Sequence, residues 1–223
     1  MITLADIQRK LGVNPDGKLG PVTLAAIANA LGIDTPKHEL SNSKAFFDDV
    51  KSITSSLSQT QVDSINAILK HASHHPLGWV AYELATAWHE ARFKPQSEWG
   101  KGKGRPYGNP GKHFGQAPYG RGLVQLTWDR NYEWADKRFG MNGALLKNLD
   151  LALEPDLAAR ILVIGMEEGA FTGKKLGDYL TGWRGDKQSF INARRIVNGT
   201  DKADLIAGHA MQFQNALELG GWS

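Results

Sequence analysis

The sequence predicts a mainly α-helical protein with a minimal β element, built as a small N-terminal helical module and a larger helical body. Three observations carry this. Apolar residues recur at three- and four-residue spacing through most of the chain, the pattern of helices buried on one face. A single stretch, Arg121 to Thr127, alternates as a strand does. The 223 residues amount to roughly one and a half typical domains, room for one body and a module.

Thr3 caps a first helix carrying Leu4, Ile7 and Leu11, with Asp6 in a capping-box-like position. Asn14-Pro15-Asp16-Gly17 forces a turn. After Gly20, Pro21 opens a second helix with Leu24, Ile27, Ala28 and Leu31 on one face and Gly32 at its end. Residues 1–33 form the expected module. Residues 34–43, which mix Pro, Lys, His, Ser and Asn without periodicity, form the expected linker. The body, 44–223, begins with a helix marked by Phe46, Phe47, Val50, Ile53 and Leu57. Ser58-Gln59-Thr60-Gln61 is a capping box for the next, which carries Val62, Ile65, Leu69 and Ala72.

Leu77 to Ala91 is apolar on nearly all sides and belongs at the centre of a domain, so Glu83, His89 and Glu90 on it need partners or a cleft. Residues 92–122 hold eight glycines and four prolines, a long loop region of the kind that is usually functional. In the strand that follows, Leu123, Gln125 and Thr127 share one face, which aims the two polar groups the same way. Helices are expected at about 129–139, 154–170 with Pro155 at its start, 186–197 and 200–219, the last with Ile206, His209, Phe213 and Leu217 on one face.

Composition narrows the chemistry. Hydrophobic residues at 41% and charged residues at 22% lie outside the disordered regime. Cysteine is absent, which removes disulfide scaffolds, thiolate zinc sites and cysteine nucleophiles. The net charge is +3, too small to imply nucleic acid. Its distribution is uneven: Arg92, Lys94, Lys101, Lys103, Arg105, Lys112 and Arg121 face a single acid, Glu98, within 92–121, so the remainder is net acidic. Such a basic loop suits an anionic polymer. Asp6, Gln8, Arg9 and Lys10 interrupt the first residues, so no secretory signal is expected there. No stretch reaches the roughly 18 apolar residues of a membrane span, and the chain is expected to be soluble and made in the cytoplasm. Seven tryptophans suit either a carbohydrate ligand or core filling.

His89-Glu90 starts like a zinc-protease signature, but Phe93 stands where the second histidine is needed. His71, His74 and His75 are expected to be a helix end, not a metal site. The Gly100, Gly102 and Gly104 run lacks phosphate-loop spacing, and Pro106 blocks the helix such a loop requires. Glu90 is sharper: a carboxylate ending an apolar helix, beside Trp88 and Phe93, is either a general acid with a raised pKa or the ion-pair partner of Arg92 or Arg121. Pro95 is expected to end that helix, letting Glu98 turn back toward Glu90. Two carboxylates about 6.5–9.5 Å apart suit an inverting glycosidase that holds water between them, and Thr127 could hold that water. Glu98 is otherwise a solvated loop charge. The basic loop is expected to keep Glu98 ionised while burial keeps Glu90 protonated.

Trp88-His89-Glu90, Tyr119-Gly120-Arg121-Gly122-Leu123-Val124-Gln125-Leu126-Thr127, Asn131-Tyr132 and Ala193-Arg194-Arg195-Ile196-Val197-Asn198-Gly199 together resemble glycoside hydrolase family 19, and more closely its lysozyme-like bacteriophage endolysin branch. The resemblance runs from about Gln59 to Leu219. It departs after His89-Glu90, where Ala91-Arg92-Phe93 stands in place of the usual small residue and glycines. The resemblance implies a lysozyme-like helical catalytic domain that hydrolyses β-1,4 links next to N-acetylated sugars without metal or cofactor. It implies Glu90 as general acid, Glu98 as second carboxylate and Thr127 as the hydroxyl that positions water. Gln125, Asn131 and Asn198 then line the sugar cleft, and Tyr119 and Arg121 flank it. Residues Leu4 to Leu31 resemble a shortened peptidoglycan-binding module through Gln8, Leu11, Asp16, Gly17, Gly20, Thr23 and Ala26; the other reading is a helical hairpin that only packs on the body. The partner implied is bacterial peptidoglycan, reached from the host cytoplasm through a separate pore-forming holin. A monomer without stable membrane insertion is expected. A chitinase of the same fold, a lytic transglycosylase and a non-catalytic wall-binding protein stay open.

Overall fold

The computed structural model describes residues 1–13, 15, 17, 19–33 and 37–223, and of Pro21 and Val22 the backbone only. Asp16, expected in the turn and the wall-binding set, lies outside the described residues, as do 34–36 of the expected linker. In the module, α1 (Leu4–Lys10) starts on the expected capping box: the Thr3 N–H donates to Asp6 Oδ2 at 3.0 Å, and the Asp6 N–H to the Thr3 hydroxyl at 3.2 Å. Helix α2 (Pro21–Ala30) opens on Pro21 and stops just before Gly32, whose φ is +69°. A polar clasp joins the two helices. Buried Gln8 donates to the Thr23 hydroxyl at 2.9 Å and accepts the Gly17 N–H at 2.7 Å. Leu24 and Leu31, expected on a packed face, are 51% and 69% exposed.

The body begins earlier than residue 44. The His38 N–H donates to the Ser73 carbonyl at 2.7 Å, Leu40 forms an antiparallel bridge with Trp222, and Asn42 caps α3 (Ser43–Thr54) by accepting the Ala45 N–H. These bonds take 38–42 out of the expected linker. Helix α4 (Gln59–His71) carries its capping box, the Ser58 N–H donating to Gln61 Oε1 at 2.9 Å. Helix α5 (Leu77–Ala91) is the central element, with every residue from 77 to 87 buried. Around it and after it come α6 (Asp129–Arg138), α7 (Ala144–Lys147), α8 (Pro155–Glu168), α9 (Lys187–Ala193) and α10 (Ala203–Leu219). Helix α10 packs along α5 and also on α9 and α3, while α4 packs on α8. The expected helix over 186–197 is split: α9 ends at Ala193 and a single 3-10 turn, Arg194–Ile196, follows.

Two buried features fix α5 in place. At its first turn, a Cβ on Gly78 would lie 2.6 Å from the Gly185 backbone nitrogen, so the chain at 184–185 packs directly on the helix. On its flank, Glu83 is fully buried and pairs through Oε1 with His75 Nδ1 at 2.9 Å, while His75 Nε2 reaches Glu167 of α8 at 3.4 Å. Burial opposes a charge on His75, but the two carboxylates overcome it and push its pKa up to about 10; burial pushes Glu83 up.

The end of α5 departs from expectation. Arg92 (φ +50°) and Phe93 (φ +58°) turn left-handed and stop the helix at Ala91, ahead of Pro95. The turn buries Phe93 against Trp88 and Phe213, and Gln61 donates to the Arg92 carbonyl at 2.8 Å. The expected strand over 121–127 also shrinks: β1 (Gln96–Ser97) pairs antiparallel with β2 (Arg121–Gly122), and Arg121 then bridges to Leu126 across a tight loop. Gly122 and Gln125 both take positive φ there, which no continuous strand tolerates.

Candidate active site

The end of α5, the residues Glu98 and Gly120 that flank the β1–β2 pair and the loop after β2 line one open cleft of about 440 Å³. Glu90 reaches it from the last turn of α5. Glu98 reaches it because the strand register continues past Ser97: the Glu98 N–H donates to the Gly120 carbonyl at 2.7 Å, and Glu98 Oε2 accepts the Gly120 N–H at 3.2 Å. Its other oxygen, Oε1, accepts from the Tyr107 hydroxyl at 3.2 Å. Burial and the Glu98 charge raise the Tyr107 pKa, so the phenol stays a donor. The approach is close at Gly120, where a Cβ would lie 2.9 Å from Gln125 Oε1 and 3.3 Å from Glu98 Cβ.

Glu90 has a partner that neither sequence alternative named. Arg194, 1% exposed, donates through Nη1 to Glu90 Oε1 at 2.8 Å and through Nε to the Asp201 carbonyl at 3.0 Å. A guanidinium this deeply buried requires an anion beside it, and Glu90 supplies it. Among the described residues no hydrogen bond reaches Glu90 Oε2, and Glu90 lines the cleft. Burial, joined by the Arg194 and Arg92 charges, holds neighbouring His89 below its ordinary pKa against the pull of Glu90, which favours the neutral imidazole.

Thr127, Gln125, Asn131 and Asn198 also line this cleft. The Thr127 hydroxyl donates to the Gln125 carbonyl at 2.7 Å, leaving its oxygen as an acceptor. Gln125 gives both amide hydrogens to backbone, the Gln96 and Gly122 carbonyls at 3.1 Å each, and so ties β1 to the loop after β2. Asn131 donates to the Thr127 carbonyl at 2.7 Å. Tyr119 and Arg121 are corrections: neither is among the cleft-lining residues, and both are buried. Arg121 pairs with Asp150 at 2.7 Å, donates to the Ala117 and Tyr119 carbonyls and the Tyr132 hydroxyl, and lies 3.6 Å over the Tyr119 ring. Through Nε and Nη1 this buried guanidinium holds the loop together.

The positive charge of the 92–121 loop is likewise not at the cleft wall, although Glu98, Tyr107 and Gly120 of that loop line it. None of its seven cations lines the cleft; Arg92 lies 4.5 Å over the Trp88 ring and Arg121 is internal. The cation that does line it is Arg130, in the first turn of α6. Tyr107, Trp128 and Phe171 complete an aromatic lining, with Tyr107 edge-on to Trp128 at 5.1 Å. Sequence reasoning missed these four and Arg194. The tryptophan content was the one signal for Trp128, which stands directly after the quoted string ending in Thr127. Of the three histidines weighed as ligands, His71 pairs with Asp156 and His75 with Glu83 and Glu167.

No protein-family model matches the chain, and no curated protein matches it. Among solved structures, a crystal structure of a chitinase C mutant is similar with a TM-score of 0.49 and 19% identity, over 75% of this chain and 93% of that one. Chitinase C from Streptomyces griseus HUT6037 is similar with a TM-score of 0.45 and 20% identity, over 80% of this chain and 68% of that one.

Proposed function

We propose that this chain is a glycoside hydrolase of lysozyme-like fold that cuts the β-1,4 links of bacterial peptidoglycan, acting as a muramidase in the lytic release of a bacteriophage. The observation that carries the reading is the convergence of two carboxylates with different surroundings on one open cleft: Glu90, tied by one oxygen to Arg194, and Glu98, held by Tyr107 and the Gly120 amide. Two such carboxylates are what glycosidic hydrolysis needs. In this reading Glu90 keeps its Arg194 bond through Oε1, takes up a proton from solvent on Oε2 as substrate binds, and delivers it to the glycosidic oxygen. Glu98 takes a proton from a water that the Thr127 oxygen helps to hold, and that water attacks the anomeric carbon from the opposite face, with inversion. Aromatic Trp128 and Tyr107 give the sugar rings apolar faces to rest on. The N-terminal module, through Gly17, Gly20 and Thr23, tethers the enzyme to the wall and raises the local substrate concentration. Peptidoglycan is reached in the periplasm with the help of a separate holin.

The test is product analysis after digesting purified peptidoglycan. New reducing ends are expected; 1,6-anhydro ends would make the protein a transglycosylase instead, and equal turnover of chitin oligomers would make it a chitinase. Glu90→Gln keeps an oxygen acceptor for Arg194 and is expected to retain the helical circular dichroism while turnover falls about a thousandfold. Near-normal lysis by that variant would overturn the assignment. Glu98→Gln is expected to cost about tenfold to a hundredfold.

A further inference from the structure

The charges in the cleft are not all paired with one another. Glu90 is balanced by buried Arg194, which leaves Glu98 as a carboxylate whose neighbours are the neutral donors Tyr107 and Gly120. It also leaves Arg130, an exposed guanidinium on the cleft wall that makes no hydrogen bond or ion pair with the described residues. Its position is set by its neighbours. Trp128 turns at φ +76° to begin α6, and Arg130 follows in the first turn between Trp128, which lines the cleft, and Asn131, which is bonded to Thr127.

From this we infer that Arg130 is a specificity-determining residue, taking a carboxylate carried by the glycan and so selecting anionic muramic-acid-containing strands over neutral chitin. The inference rests on the glycan reading above. A polymer of N-acetylglucosamine has no anion to offer a guanidinium. A muramic acid residue carries a lactyl ether whose carboxylate, where no peptide is attached, hangs beside the glycosidic link; where a peptide is attached, that carboxyl is an amide and the anion is the peptide's own carboxylate, and a guanidinium can grip either carboxylate with two parallel hydrogen bonds. The seven cations of the 92–121 loop can draw an anionic polymer toward the molecule, but from outside the cleft they read no individual sugar. Arg130 is where charge becomes selectivity at the bound ring.

Binding and turnover are measured separately, so that this inference and the hydrolase reading fail in different ways. In a Glu90→Gln background, calorimetry compares a chitin oligomer with a muramic-acid-containing oligomer of equal length and free lactyl carboxylate. The acidic oligomer is expected to bind about fivefold tighter at low salt, an advantage that shrinks as salt rises. Adding Arg130→Gln is expected to remove that advantage, and Arg130→Lys to restore part of it. An unchanged preference in the Arg130→Gln protein, or equal affinity for the two oligomers with Arg130 in place, would overturn the inference. Failure of the wild-type protein to release reducing ends from either polymer would instead sink the hydrolase reading, while a carboxylate preference that depends on Arg130 would still stand.

Discussion

Tyr107 and Arg194 each hold one carboxylate of the cleft, and they do so in opposite ways. Arg194 is a buried charge that Glu90 neutralises. Tyr107 is a neutral donor half-buried on a loop, and its hydroxyl fixes one oxygen of Glu98 while the Gly120 N–H fixes the other. Tyr107→Phe deletes that hydroxyl and leaves the ring against Trp128. Its expected effect is a three- to tenfold lower kcat, about 1 kcal/mol of lost orientation, with KM little changed. An unchanged kcat would mean that the amide alone orients Glu98. Little of this was legible at the residue scale. Glu90, Glu98 and Thr127 stand out in the sequence by type and position, whereas a phenol amid prolines and glycines does not.

The joint between α5 and α8 rests on a carboxylate–imidazole–carboxylate set, Glu83, His75 and Glu167. His75→Gln leaves two acids facing each other in a buried site, and is expected to cost about 3–5 kcal/mol at neutral pH, read from chemical denaturation. The pH dependence has a definite sign. The folded pKa of His75, about 10, lies above its unfolded value of about 6.5, so its stabilisation is complete below pH 6.5 and lost as pH rises toward 10. Glu83, also raised, acts in the same direction at lower pH. The stability gap between wild type and His75→Gln is therefore expected to narrow between pH 6.5 and 10; a gap that stays constant would show that His75 is neutral in the fold. The sequence marked Glu83 as a residue needing a partner or a cleft, because a carboxylate on an all-apolar helix is not left alone in the core. Which residue meets it was not readable.

At the scale of the whole molecule, the module and the body differ in how they are held. The body has a continuous apolar core running from Phe46 to Trp222, and the module has the Gln8 clasp with large apolar side chains left exposed. Removing residues 1–33 is expected to leave turnover of soluble glycan oligomers within about twofold, while co-sedimentation with insoluble cell walls falls, because tethering acts only on a polymer that stays in place. Unchanged co-sedimentation would leave the module without a wall-binding role.

Local periodicity and capping chemistry determined the helices by themselves, since each depends on residues three or four apart: the Thr3–Asp6 and Ser58–Gln61 caps, Pro21 and Pro155 at helix starts, and the all-apolar run from Leu77 to Ala91. The alternation at 121–127 marked the right segment with the wrong geometry, because positive φ at Gly122 and Gln125 folds it back on itself. The site was decided by tertiary structure. Glu90 finds Arg194 across 104 residues of sequence, and Glu98 finds the Gly120 amide across 22. Arg121 is drawn inward to Asp150, and Arg130 is left facing the cleft. A guanidinium's partner depends on which surfaces the packed helices bring together, and hydrophobic periodicity carries no record of that choice.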